Sequence, residues 1–396
     1  MGVHADNHSW AFFPQPAPAP SIVFCGKDGG LYRSTDGGVV WTPLSAGGLQ
    51  IGLFYNIDMR PDATGSNTVG ALQDNGTQTR VGAVGRGWIA AQGGDGWDVV
   101  YDGTTTGQVY CTSGFWSPAR CTRIWRSTDD AASFPTEITP WGTTSDAGCY
   151  LGPLATDPST GGILYASGSQ NLWQSTDAGN NWRILSPFAS TGDIDVAPSN
   201  GNYVAIGVGN RVFVSINALA ATVGPPSGVT FTDITRNLPP RNVARVAFDP
   251  NDPTVLYAVL GGLNGGAGNV GHVFRTSVGA TAWTDISPDL DVPFNAFALD
   301  GSNNPTAIYA GTDFGVIRSV DGGASWSILD DIHFPRVPVF DLVLRNGLLR
   351  AATYGRGAFE FIRPQGPSIA VNLENDLEFG TVCQGPQLLT LQRRPE

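Results

Sequence analysis

Leu31-Tyr32-Arg33-Ser34-Thr35-Asp36-Gly37-Gly38-Val39-Val40-Trp41 is the stretch whose reading decides the fold. It recurs as Ile124-Trp125-Arg126-Ser127-Thr128-Asp129 ending on Phe134, and as Leu172-Trp173-Gln174-Ser175-Thr176-Asp177-Ala178-Gly179-Asn180-Asn181-Trp182. It returns once more as Val316-Ile317-Arg318-Ser319-Val320-Asp321-Gly322-Gly323-Ala324-Ser325-Trp326. A degenerate copy, Val273-Phe274-Arg275-Thr276-Ser277 closing on Trp283, has lost the Asp. Each copy reads as a strand, a tight turn and the aromatic start of the next strand. The carboxylate accepts turn N–H groups, glycine takes a positive-φ position, and the aromatic ring packs between sheets. Sparse copies of such a turn predict an all-β propeller, in which no unit buries its face alone.

Outward from the turns, the chain divides into eight units of three or four short strands. Their first strands are expected at His8–Phe13, Phe54–Met59, Trp97–Tyr101, Leu151–Thr156, Ile194–Ala197, Val243–Phe248, Phe294–Leu299 and Val339–Leu344. Asp249-Pro250-Asn251-Asp252-Pro253, with reduced forms at Asp157-Pro158-Ser159 and Ala197-Pro198-Ser199-Asn200, marks the turn from first to second strand. Proline fixes φ there and cannot extend a central strand. The expectation is a single propeller over residues 1–363, of four-stranded antiparallel blades, eight in number with seven as the alternative count. Residues 364–396 change pattern.

Composition bounds the class. The chain has 396 residues, with 52 glycines and 28 prolines, which suits a fold of strands and turns. Its net charge of -12 argues against a nucleic-acid partner, which would want a basic face. No apolar run reaches the length of a membrane span. Cys111 and Cys121 flank a loop between two expected antiparallel strands, and a disulfide there would staple the loop. That bridge would place the protein outside the cytoplasm, in an extracellular or periplasmic setting. A monomer is the default.

Topology sorts the loops by side. In a four-stranded blade, the approach to the first strand and the loop between strands two and three share one end. The Asp turns, between strands three and four, lie at the other. Asp36, Asp129, Asp177 and Asp321 are therefore structural. The opposite end collects His4, Asp6, His8, Asp95, Asp146, Asp193 and His333 near first strands. Asp28, Gln73-Asp74-Asn75, Ser113–Arg120 with Phe115 and Trp116, Asp313 and Tyr354-Gly355-Arg356-Gly357 join them from the other loops. Loops on one face of a rigid scaffold, converging on a channel, are where a site belongs.

If the N-terminus is extended, His4, Asp6 and His8 point to one side, with same-face neighbours about 7 Å apart. With His333 they form a candidate set for one divalent ion. Imidazole and carboxylate suit zinc or manganese, and oxygen donors such as Asp95 and Asn75 favour calcium. A solvated N-terminal segment is the alternative. Asp28 and Asp95, on compact glycine turns, are candidates for a general acid and base. Arg356 suits a carboxylate or phosphate, and Tyr354 and Trp116 suit stacking on a sugar. Asn75 and Asp313 complete the expected substrate contacts.

The repeated turn resembles the Asp-box of sialidase-like, xyloglucanase-like and sortilin-like propellers. The resemblance extends over Met1–Arg363 through unit shape, His4-Ala5-Asp6-Asn7-His8, Gln73-Asp74-Asn75-Gly76-Thr77 and Tyr354-Gly355-Arg356-Gly357. Ser368–Leu373 and Leu377–Cys383 resemble the opening strands of an ASPM/SPD-2/Hydin-type immunoglobulin-like domain, which implies a truncated second domain over 364–396. The sialidase branch implies an arginine triad, but Arg33, Arg126, Arg275 and Arg318 precede the Asp turns and fall on the other face. The xyloglucanase branch implies two channel-facing Asp residues, for which Asp28 and Asp95 are the candidates. Three functional readings follow. The leading one is a metal-assisted hydrolase acting on an ester or phosphoester at the channel mouth. The others are a non-catalytic glycan- or protein-binding propeller and a glycoside hydrolase using paired Asp residues.

Overall fold

The structure is a computed structural model that describes residues 6–44, 51–62, 67–80, 87–114, 122–141, 146, 152–188, 191–220, 228–264, 271–329, 334–362 and the backbone of 381–383. It contains eight four-stranded sheets, sheets 1 to 8 in chain order, the number that the repeats predict. Their first strands are Asn7–Phe13, Phe54–Met59, Asp95–Tyr101, Leu154–Thr156, Asp193–Val196, Val243–Phe248, Phe294–Asp300 and Val339–Arg345. Each sheet runs in simple sequence order with antiparallel neighbours, apart from its last strand in sheet 8. There Thr381–Cys383 lies parallel to Gly357–Ile362. The expected second domain over 364–396 otherwise falls outside the described residues.

Second strands are short apolar runs because both their faces are covered, as in Val255–Leu260 and Ala307–Thr312, buried along their whole length. The core is layered between adjacent sheets. Val212, Val214 and Ile234 of sheet 5, for example, pack on Val246, Phe248, Leu256 and Phe274 of sheet 6.

The ring itself takes seven sheets. The first strands of sheets 2 to 8 pack on one another in order, and sheet 8 returns to sheet 2. Phe54, Ile57 and Leu72 meet Ala352, Val343 and Ala358 at that closure. Gly355 N donates to Gly52 O at 3.1 Å, and Arg345 pairs with Asp58 at 3.1 Å. Sheet 1 stands beside this ring, and all seven residues of Asn7–Phe13 are exposed.

The repeated turn has the expected geometry. Ser34 Oγ donates to Asp36 Oδ1 at 2.7 Å, and Val39 N and Val40 N reach the same oxygen at 3.0 and 2.9 Å. Ser127–Asp129, Ser175–Asp177 and Ser319–Asp321 repeat the bond. A further copy escaped the sequence reading because Asn217 replaces the Asp and an insertion follows it. Ser215 Oγ still bonds Asn217 Oδ1 at 3.1 Å, and Thr230 N closes the turn on the same oxygen.

The turn aromatics separate ring from sheet 1. Trp182 Nε1 donates to Ile138 O at 2.7 Å, Trp283 to Ile234 O at 2.7 Å and Trp326 to Ile286 O at 2.9 Å. Each acceptor belongs to the preceding sheet. Trp41 bonds Gly38 of its own turn instead, and its ring meets Trp10, 5.7 Å away between centroids. The expected equivalence of four tryptophans thus holds for three.

Cys111 lies on Val109–Gly114 with no exposure and is a free thiol, which corrects the expected bridge to Cys121. Its side chain packs inward with Val69, Val99 and Tyr101 rather than toward the loop. Burial pushes the thiol up to about 12. Cys121, Phe115 and Trp116 lie outside the described residues.

Candidate functional site

Of the aspartates inside the ring strands, the sequence points to Asp193 alone and passes over Asp58, Asp98, Asp195 and Asp341. The carboxylates of Asp58, Asp98, Asp193 and Asp195 each accept a backbone N–H from the next sheet's first strand. The donors are Tyr101 at 2.8 Å, Leu154 at 2.7 Å, Val246 at 2.7 Å and Phe248 at 2.7 Å. Asp341 makes the closing bond of the circle, to Ile57 N at 3.1 Å. The available signal was an acid inside an otherwise apolar strand, as in Gly96-Trp97-Asp98-Val99-Val100 and Asp193-Ile194-Asp195-Val196. Such an acid needs a donor, and a neighbouring strand offers one.

Asp98, Asp193, Asp195 and Asp341 line a central cavity of ≈ 410 Å³. Arg245 crosses it, 3.6 Å from Asp193 and 3.5 Å from Asp341. Burial outweighs the N–H donors and raises Asp98 to about 7, Asp195 to about 7 and Asp193 to about 6. Burial raises Asp341 as well, against the pull of Arg245.

Above the cavity lies the rim, centred on the turn Gln73-Asp74-Asn75-Gly76. Asp74 takes φ 57° and Gly76 φ 67°. Sheet 3 presses close to this turn: a Cβ on Gly96 would stand 2.4 Å from Gly76 O, so glycine is required there. That approach lets Asp95 Oδ1 accept Asp74 N at 2.8 Å. On the other side, Asn75 Nδ2 donates to Asp28 O of sheet 1 at 3.0 Å. Asp28 in turn pairs with His8 Nε2. Gln73 Oε1 accepts the hydroxyl of Tyr55 at 2.9 Å and that of Tyr354. Tyr55 lies 5.3 Å from Trp97 and 5.7 Å from Tyr354, and Phe340 stacks on Tyr354 at 4.9 Å, all between centroids. Three partly exposed rings, Tyr55, Phe340 and Tyr354, face the entrance beside two carboxyl-bearing turns.

The sequence candidates divide accordingly. His8, Asp28, Asn75, Asp95 and Tyr354 meet around one turn. Asp313 sits farther round, accepting Asn295 Nδ2 at 2.9 Å, and Arg356 is exposed beside Tyr354. Asp146 is taken up by the hairpin between the second and third strands of sheet 4, accepting from Ser169, Gln170, Asn171 and Trp173. Asp6 is exposed. His4, His333 and Trp116 lie outside the described residues. Among the described residues no three His, Cys, Asp or Glu side chains gather as a metal would need.

No protein-family model matches the chain. A curated relative, a xyloglucanase of Hypocrea jecorina, is 26% identical over 210 residues, 44% of this chain and 25% of that enzyme. Among solved structures, a GH74 xyloglucanase from Xanthomonas campestris aligns with TM-score 0.54 and 15% identity over 89% of this chain and 56% of its own. YCF48 from Cyanidioschyzon merolae aligns with TM-score 0.55 and 12% identity, over 89% of this chain and 98% of its own. YCF48 bound to D1 peptide gives TM-score 0.54 at 14% identity, over 78% and 92%. The chain has a β-propeller fold. The relatives share that fold across enzymes and binding proteins, so function rests on the site. No helix among the described residues is long and apolar enough to cross a membrane.

Proposed function

We propose that this propeller is a glycoside hydrolase acting on a glucan at the rim, with Asp28 and Asp95 as its acid–base pair. The observation that carries the reading is the rim turn, which holds these two carboxyl-bearing segments on its two sides next to an aromatic platform. Tyr55, Phe340 and Tyr354 would take the apolar faces of pyranose rings, and Gln73 fixes two of their hydroxyls. One carboxylic acid protonates the leaving oxygen while the other activates water or attacks the anomeric carbon. The 26% identity to a xyloglucanase supports this class of substrate. It favours glycoside cleavage over the metal-assisted ester hydrolysis expected from the histidines.

A second reading has one observation in its favour. A peptide-bound propeller, YCF48 with D1 peptide, aligns over 92% of its own length. The same aromatic rim would then hold a peptide without chemistry.

The test is reducing-end release from xyloglucan and from unsubstituted β-glucans, with and without a chelator. Turnover that survives chelation supports the proposal. Turnover abolished by chelation returns the site to a metal at His8 and its neighbours. Binding of glucan or peptide without turnover makes the propeller a binding module.

A further inference from the structure

The face opposite the rim carries a second cavity, of ≈ 620 Å³, in the cleft between sheets 6 and 7. Its size is that of a small-molecule pocket. Asp249, Asn251, Asp252, Tyr257, Arg275 and Asn304 supply its polar lining.

The reason for the opening is legible in the repeat. Arg275 occupies the same place in its strand as Arg126 does in sheet 3, three residues before the turn's third position. Between sheets 3 and 4 that guanidinium is spent on the protein itself. Arg126 Nη1 donates to Ala178 O at 2.7 Å and to Asn180 Oδ1 at 3.0 Å, both on the next sheet's turn. In sheet 7 the matching positions are Gly322 and Ala324, and the Asn acceptor is gone. Arg275 lies instead along Tyr257, its Cζ 6.0 Å from the ring centroid, facing the cavity.

The acids of the lining are fixed by hydrogen bonds from their own turns and, for Asp249, from sheet 7. Asp252 Oδ1 accepts Thr254 N at 2.9 Å and Thr254 Oγ1 at 2.7 Å. Asp249 Oδ1 accepts Asn251 N at 2.9 Å, and its Oδ2 accepts Thr306 Oγ1 at 2.7 Å. Carboxylate oxygens retain further lone pairs after these bonds, and a guanidinium offers five donors in a fixed fork. Acceptors and donors held side by side match a ligand that both donates and accepts at adjacent atoms. A vicinal diol does so. Two carboxylates against one guanidinium disfavour an anion. We propose that this cleft binds a neutral saccharide unit, Arg275 donating to one hydroxyl and Asp252 accepting from its neighbour. The inference does not depend on catalysis at the rim.

Cellobiose titrated against isotope-labelled protein, read by amide shifts at Gly301–Asn304 and Gly322, tests it, with glucuronate as the anionic probe. The expected result is saturable cellobiose shifts there, weakened at least about ten-fold in Arg275→Gln and in Asp252→Asn. They persist in Asp95→Asn at the rim, whether or not that variant retains turnover. No shift at these amides, equal binding by Arg275→Gln, or binding of glucuronate in preference to cellobiose would overturn the proposal.

Discussion

Sheets 2 to 8 and sheet 1 are built from the same repeat, yet they are held in different ways. In the ring, each turn tryptophan and most strand aspartates spend their hydrogen bonds on the next or preceding sheet. In sheet 1 the tryptophan bonds its own turn, the first strand is exposed, and Trp10, Phe12 and Phe13 are 51%, 67% and 61% accessible. The repeat therefore encodes a turn, and its neighbours decide whether the turn becomes a joint. The candidate site lies where the two arrangements meet, with Asp95 on the ring and Asp28 on the sheet beside it.

The largest effect expected from this difference is in the tryptophans. Trp182→Ala removes a ring wedged between sheets and a bond to the preceding sheet, at a cost of about 3–5 kcal/mol. Trp41→Ala should cost about 1 kcal/mol, near the centre of the range for point mutations. Denaturant unfolding of both variants measures it, and equal losses would erase the distinction between ring and sheet 1. Next in size is Asp341→Ala at the ring closure. It strands Ile57 N–H and removes one of the two carboxylates beside Arg245, for a loss of about 2–4 kcal/mol. A loss below about 0.5 kcal/mol would show that the circle does not close through that bond.

Acidity divides the molecule along a related line. Asp98, Asp193 and Asp195 keep their protons to higher pH when folded than the ordinary 3.8, so the native state binds more protons than the unfolded chain between 3.8 and about 7. Their contribution is full below that window and is lost as pH rises through it. The turn aspartates act in the opposite sense. Hydrogen bonds from Ser325 and Ser319 lower Asp321 to about 2, so its contribution is present above the ordinary value and is lost as pH falls toward 2. Thermal melts from pH 2 to 8 should show maximal Tm near pH 4 to 5, with a decline on each side. A Tm that climbs steadily to pH 8 would mean that the channel acids are ionised without penalty.

The smallest stability effect is expected at the bolt between the two regions. Asn75→Ala removes the donor to Asp28 O and should change stability by about 1 kcal/mol or less. Its larger consequence is positional: turnover should fall while the melting transition hardly moves. Unchanged turnover would place Asp28 outside the reacting constellation.

The turns announced the fold because Ser-x-Asp followed by glycine and an aromatic has one comfortable conformation, and local hydrogen bonds fix it wherever it occurs. The sheet count came with it. Ring closure was not legible, because Asp341, Ile57, Arg345 and Asp58 lie far apart in sequence and their pairing depends on which sheets become neighbours. The rim was half legible. Topology placed His8, Asp28, Asn75, Asp95 and Tyr354 at one end, but Tyr55, Trp97 and Phe340 fall inside expected first strands, where nothing in the sequence singles them out. Only the ring's curvature brings those three side chains to a shared entrance.

The proposed cleavage of a glycosidic bond by Asp28 and Asp95 is tested by reducing-end release from xyloglucan, measured for the wild type and Asp95→Asn. The expected result is turnover by the wild type and a loss of about 10²–10⁴-fold in the variant, with its melting temperature nearly unchanged. Full turnover by a folded Asp95→Asn protein, or a wild type inert toward glucans, would contradict it.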